Sequence, residues 1–146
     1  GEVHSDVLTL MLDHPYLDYA PPKSLDRNDF ALEAVRGLSL EDGAATLAAF
    51  TLETVVESQA HMPAPPTAWY VTGGGRHNPV LLQGLADRLP VLVQAVDALD
   101  WRADSVEAEA FAFLAVRHLH GLHTSEPATT GVEQPVVGGC YHAPRA

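Results

Sequence analysis

A run of three glycines, residues 73–75, is the feature that most constrains how this chain can fold. The residues just before it, 68–72, include aromatic and β-branched side chains and predict a strand. Just after it, Asn78 and Pro79 supply an N-cap and a first-turn proline, which predict a helix through residue 89. The glycines therefore mark a tight turn between a strand and a helix.

The residues on either side extend this unit. A short apolar stretch, residues 91–95, follows Pro90 and predicts a second strand, which completes a β-α-β element. Upstream, Ser39 and Asp42 have the spacing of an approximate capping box, and the apolar stripe that follows predicts a helix of about five turns. We therefore expect an α/β fold.

The carboxy-terminal third predicts one more helix and one more strand. Asp104 and Glu107 have the spacing of another approximate capping box, and they open a helix that should stop at Gly121. Residues 110–116 are apolar on every side of that helix, which predicts that it is buried centrally. Residues 135–142 read as a terminal strand interrupted by glycines.

Composition excludes several classes of function. The chain has 146 residues, enough for a single domain. Eight Lys and Arg against 19 Asp and Glu give a formal charge of −11, which argues against nucleic acid and anionic membranes as partners. The longest apolar run has seven residues, whereas a membrane-spanning helix needs roughly 18. Cys140 is the only cysteine, which suits the reducing cytoplasm.

The glycine run has two interpretations that the local pattern leaves open. A glycine turn lets backbone approach a ligand closely, and the start of the next helix presents free N–H groups, as in nucleotide sites. The run fits neither G-x-G-x-x-G nor G-x-x-x-x-G-K-[ST], however, and a tight turn needs glycine for steric reasons alone. Asn78 is likewise either a cap only or a cap that also contacts a ligand.

Other polar residues are equally ambiguous. Lys23, in a proline-framed stretch, is either a point charge for a phosphate or carboxylate or ordinary solvated surface. Glu107 suits a helix cap, and it also suits a hydrogen bond to a sugar hydroxyl. His118, His120 and His123 lack the i, i+4 spacing and the interleaved acid of a metal site, so no metal is expected.

Four segments together resemble a known family. They are PPKSLDRNDF at 21–30, YVTGGGRHNP at 70–79, DSVEAEAFAFLAVR at 104–117 and TTGVEQPVVGG at 129–139. Their order and spacing are similar to those of the carboxy-terminal half of anhydro-N-acetylmuramic acid kinases, within the acetate and sugar kinase, Hsp70 and actin superfamily. The resemblance spans nearly the whole chain.

The resemblance implies a ribonuclease-H-like lobe of the actin and sugar-kinase type, with a sheet flanked by helices, as a single domain over residues 1–146. It implies an ATP- and Mg²⁺-dependent kinase that opens the 1,6-anhydro ring of this cell-wall amino sugar with water and phosphorylates O6. By resemblance, the nucleotide contacts are Gly73, Gly74, Gly75 and Asn78. The candidate substrate contacts are Glu107 and Lys23.

The chain also departs from the family pattern. The family's PPKSTGRE form is replaced here by a segment containing Leu25, Asp26 and Asn28. No Gly-Thr-Ser phosphate loop precedes an Asp-Gly pair, so the family's amino-terminal lobe and its catalytic aspartate have no counterpart. We therefore expect the chain to be inactive by itself. The expected partners are the missing amino-terminal lobe or a split subunit, or a second copy of the chain in a homodimer. The alternative is a non-catalytic nucleotide-binding or protein-interaction module.

Overall fold

The predicted β-α-β element lies at the centre of the computed structural model, which describes residues 1–30 and 32–143. Strands β1 and β2 pair in parallel, with Ala68 opposite Leu92 and Val71 opposite Ala95. The strands are β1, Ala68–Val71, and β2, Leu92–Ala95. The α-helices of the described residues are α1, Ser5–Leu12; α2, Leu40–Glu57; α3, Pro79–Arg88; α4, Val106–Leu119; and α5, Pro127–Thr130. The fold is therefore mixed α/β, as predicted, with a small parallel sheet.

Helix α2 begins where the sequence predicts. The Ser39 hydroxyl accepts a hydrogen bond from the Asp42 amide at 3.1 Å, so Ser39 is the N-cap. The Asp42 carboxylate does not complete the predicted capping box, because it accepts a hydrogen bond from the Glu2 amide at 2.7 Å. That bond lowers the pKa of Asp42 below its ordinary value. The carboxylate thereby fixes the amino-terminal segment onto the first turn of α2.

The core lies between α2, α3 and the sheet. Leu52 of α2 contacts Leu85 of α3, and Leu89 completes this buried cluster. Partly buried apolar side chains surround it: Val55, Val56, Trp69, Val71, Leu81, Val91 and Val93. Burial of this apolar surface is what holds the two helices on the strands.

Helix α4 is not buried, which contradicts the sequence prediction. None of its residues is buried, and Phe111 and Phe113 remain 65% and 61% exposed. An apolar helix is buried only where another element covers its apolar surface, and the described residues leave most of the large apolar side chains of α4 exposed. Its end does agree with the prediction, because Gly121 follows in the left-handed conformation with φ 65°.

The two other predictions for this region are also wrong. Asp104 does not cap α4; its carboxylate binds the guanidinium of Arg76 instead, and the N-cap Ser105 makes no side-chain capping bond. The predicted strand at 135–142 is reduced to one antiparallel bridge, Ser125 to Val136. Side chains take up the backbone groups that a strand would use, since Gly138 donates its N–H to Thr124 Oγ1 at 2.8 Å.

Gly84 tests the contact between α2 and α3. A Cβ added at Gly84 would lie 2.5 Å from Leu52 Cδ1, so Gly84→Ala should destabilise the fold by about 1–3 kcal/mol despite alanine's better helix propensity. Urea unfolding measures the change. In a Leu52→Ala background the clash disappears, and the same substitution should then stabilise by about 1 kcal/mol. An equal cost in both backgrounds would show that Leu52 is not the obstacle.

Candidate functional site

The glycine turn after β1 leaves its backbone open. Gly73 has φ 71°, a left-handed conformation that favours glycine, and Gly74–His77 then form one 3₁₀ turn. A Cβ added at Gly74 would find no heavy atom within 4 Å. The space above the Gly74 backbone is therefore available to a ligand.

Asn78 and Gly75 serve the start of α3. Asn78 Oδ1 accepts a hydrogen bond from the Val80 amide at 3.0 Å, which confirms the predicted N-cap. Since only Oδ1 makes this bond, the exposed side chain can still donate through Nδ2. Gly75 lies against α3, where an added Cβ would be 3.7 Å from Leu81 Cδ1.

The glycine turn and the start of α4 line one cavity of about 390 Å³. This volume lies within the range of roughly 300–1,000 Å³ that is usual for small-molecule sites. Of the predicted site residues, Gly73, Gly74 and Glu107 line it together. Its other lining residues are Thr72, Arg76, His77, Ala103, Asp104, Val106 and Ala110. The structure thus places two of the predicted nucleotide contacts and the predicted sugar contact around one cavity, whereas Gly75 and Asn78 are not among its lining residues.

Arg76 is a site residue that the sequence analysis missed. It is only 6% exposed. Its Nη1 donates to the Gly73 carbonyl at 3.0 Å, its Nε to Asp97 at 3.1 Å and its Nη2 to Asp104 at 2.6 Å. An arginine directly after a glycine run was the only sequence signal, because its two carboxylate partners lie more than 20 positions away.

These contacts keep the charges of the site fixed. The hydrogen bond and charge of Arg76 hold the pKa of Asp104 below its ordinary value of 3.8. The same pair raises the pKa of Arg76, chiefly through its bond to Asp104. His77 Nε2 lies 4.0 Å from the Asp104 carboxylate at the cavity edge. At neutral pH, Asp104 is therefore an ionised partner of Arg76.

Lys23 lies in a different place. Its Nζ donates to the carbonyls of Tyr16 at 2.9 Å and Leu17 at 2.8 Å, and lies 3.1 Å from His61 Nε2. It also sits 4.8 Å from the centre of the Tyr16 ring. These residues line a separate cavity of about 260 Å³. The structure therefore does not bring Lys23 together with Glu107 or the glycine turn.

The histidines near the end of α4 have separate partners. His118 Nδ1 lies 2.9 Å from the Gly138 carbonyl, and His123 Nδ1 lies 3.2 Å from Glu126 Oε1. Within residues 1–30 and 32–143, no three His, Cys, Asp or Glu side chains come together as metal ligands. Over the same residues, no helix has the length and apolar character needed to cross a membrane.

The Arg76–Asp104 pair predicts a pH dependence. Because the folded-state pKa of Asp104 is depressed, its contribution to stability is present above about pH 3.8 and is lost as pH falls through the folded-state pKa. Asp104→Asn should therefore be less stable than wild type at pH 7, and the difference should shrink toward pH 3. Urea unfolding at both pH values measures this, with Asp100→Asn as the charge-matched control. A constant difference across this range would contradict the assignment.

Comparison with known proteins identifies the family of the chain. The family model for anhydro-N-acetylmuramic acid kinase matches residues 1–143. Curated relatives of that name include those of Rhizorhabdus wittichii, 51% identical over 99% of this chain, and Caulobacter vibrioides, 54% identical over 95%. The aligned regions cover 40% and 38% of those relatives, so the chain spans about 40% of their length.

The relative of Rhodospirillum rubrum, which bears the same name, is 48% identical over 97% of the chain and 38% of its own length. The family match spans residues 1–143, a range that includes the glycine turn, Arg76 and α4. The chain belongs to the anhydro-N-acetylmuramic acid kinase family.

Proposed function

We propose that this chain is the carboxy-terminal lobe of a two-lobed ATP-dependent kinase of cell-wall recycling. The reaction is hydrolysis of the 1,6-anhydro ring of anhydro-N-acetylmuramic acid with phosphorylation of O6, which gives N-acetylmuramic acid 6-phosphate. The observation that carries the proposal is the single cavity shared by Gly73, Gly74 and Glu107. The lobe is expected to be ribonuclease-H-like and cytoplasmic, and ATP and the sugar would meet at this cavity.

The glycine turn fits a nucleotide. Its hydrogen bonds begin at the Arg76 amide, so the amides of Gly74 and Gly75 precede them and can donate to nucleotide oxygens or to a ring edge. Asn78 adds a side-chain donor at the start of α3. ATP bound here would supply the phosphoryl group, and these donors would orient it.

Glu107 is the proposed sugar contact. It lies in the first turn of α4, where the helix dipole favours a carboxylate, and its exposed side chain lines the cavity. A carboxylate accepts hydrogen bonds from sugar hydroxyls without giving up that favourable position. Lys23 would reach a substrate only after losing its local carbonyl contacts, so the proposal assigns sugar binding to Glu107.

The described residues do not fit a Mg²⁺ site of their own. Asp104 is bound to Arg76, and no group of three potential ligands surrounds the cavity in the described part of the chain. We therefore assign Mg²⁺ binding to none of the described residues. The ion is expected on the ATP phosphates, with any protein ligands supplied from outside this lobe.

The lobe also needs a partner. Water attack on the anhydro ring requires a general base, and the relatives extend well beyond the 40% of their length matched here. We propose that the base lies in that further region, in an amino-terminal lobe. The exposed apolar side chains of α4 suit such a contact, or self-association when the other lobe is absent; they are Phe111, Phe113, Val116 and Leu119.

Calorimetric titration with a non-hydrolysable ATP analogue and Mg²⁺ tests the nucleotide site. Wild type should bind saturably, and Gly74→Val should weaken binding by more than about tenfold, or about 1.4 kcal/mol, because its side chain fills the open space. Ala128→Val on α5 also introduces a valine side chain, at an exposed residue outside the cavity, and should bind normally. Equal affinity in all three proteins would contradict the site.

The isolated chain should not phosphorylate anhydro-N-acetylmuramic acid. The physical reason is that the proposed lobe lacks the base that activates water. Product formation from labelled ATP measures this, with the Caulobacter vibrioides kinase as the positive control. Phosphorylation by the chain alone would refute the assignment of the base to another lobe. Nucleotide binding without activity, even after addition of that lobe, would support the non-catalytic alternative.

A further inference from the structure

We propose that Arg76 is a positioning residue that couples the nucleotide-binding turn to the sugar-binding end of α4. This inference rests on the proposed function. In this scheme Arg76 is assigned no ligand contact, because each of its three guanidinium nitrogen atoms already donates one hydrogen bond to a protein partner. It acts through the positions of Gly73 and Asp104.

The guanidinium joins three segments that are distant in sequence. Nη1 binds the carbonyl of Gly73 in the glycine turn, and Nε binds Asp97 in the 3₁₀ turn Val96–Leu99 that follows β2. Nη2 binds Asp104, two residues before α4 begins. Because the guanidinium is planar and rigid, a shift of one partner changes the geometry at the other two.

The two side chains of the Arg76–Asp104 pair differ in burial. The Arg76 side chain is only 4% exposed, whereas that of Asp104 is 84% exposed. The cation is therefore held in place while its partner at the start of α4 can move. Two other polar contacts between these segments are longer: Thr72 Oγ1 lies 3.5 Å from the Ala103 carbonyl, and His77 Nε2 lies 4.0 Å from the Asp104 carboxylate. Arg76 is the stronger connection.

Glu107 lies three residues after Asp104, about one helical turn away. A nucleotide that orders the Gly73 carbonyl would therefore order Asp104 and the first turn of α4 through the same guanidinium. Coupling of this kind is reciprocal, so sugar binding at Glu107 should strengthen nucleotide binding by the same factor.

Hydrogen exchange of the full chain, with and without the ATP analogue and Mg²⁺, tests the coupling. In wild type, the nucleotide should slow exchange at residues 73–78 and also at residues 104–108. In Asp104→Asn, protection at 73–78 should remain and affinity should stay within about threefold, while protection at 104–108 is lost. Asp104→Glu should restore part of that protection, because it restores the carboxylate.

Asp100→Asn is the matched control. It removes the same charge from the same segment, the one that joins β2 to α4. Asp100 makes no bond to Arg76, and asparagine tolerates its φ of 57°. It should behave as wild type. If Asp104 had a purely structural role, Asp104→Asn would alter overall stability but would keep the nucleotide-dependent protection of residues 104–108. That result would overturn the coupling, while the proposed nucleotide site would stand.

A second comparison keeps the inference testable if wild type binds no nucleotide. That result would count against the proposed site in the isolated chain. The coupling then predicts that Asp104→Asn, without any ligand, speeds exchange at residues 73–76 by about threefold or more, since Arg76 has lost a partner. A change confined to residues 104–108 would refute the coupling independently of the proposed function.

Discussion

The buried guanidinium of Arg76 is the interaction on which the site depends. A charge removed from water must be paired and hydrogen-bonded, so its burial requires the Gly73 carbonyl, Asp97 and Asp104 to converge. That convergence places the glycine turn beside the start of α4 and creates the cavity between them. The electrostatic requirement of one side chain therefore sets the geometry of a site built from three segments.

Apolar surface left open shapes the rest of the interpretation. The sheet of the described residues is parallel and has two strands. Parallel sheets are normally covered by other elements on both faces. Helix α4 exposes large apolar side chains such as Phe111 and Phe113 along much of its length. Family relatives continue well beyond the matched region. These features agree in supporting a partner lobe, and they explain why an apolar helix that the sequence analysis placed in a core lies at the surface.

Local patterns predicted much of the fold correctly. The strand before the glycines, the Asn78 cap with Pro79, the parallel partner strand and the Ser39-capped α2 are all present. The two helix caps depend on residues within one turn of one another, where side-chain chemistry acts directly on the backbone. The strand pairing follows from the short β-α-β connection. The resemblance of the motifs to the kinase family is confirmed as well, since the family model matches nearly the whole chain.

The errors arose where a side chain has a choice of partner. Asp42 and Asp104 both have capping-box spacing, yet they bind the Glu2 amide and Arg76, which lie far away in sequence. Lys23 donates to nearby carbonyls in a place separate from Glu107, and its role as a substrate contact stays a prediction. Secondary structure and family membership could be inferred from sequence because they rest on local spacing and motif order. The pairing of Arg76, the cavity and the exposure of α4 could not, because long-range packing selects among partners that local chemistry makes equally suitable.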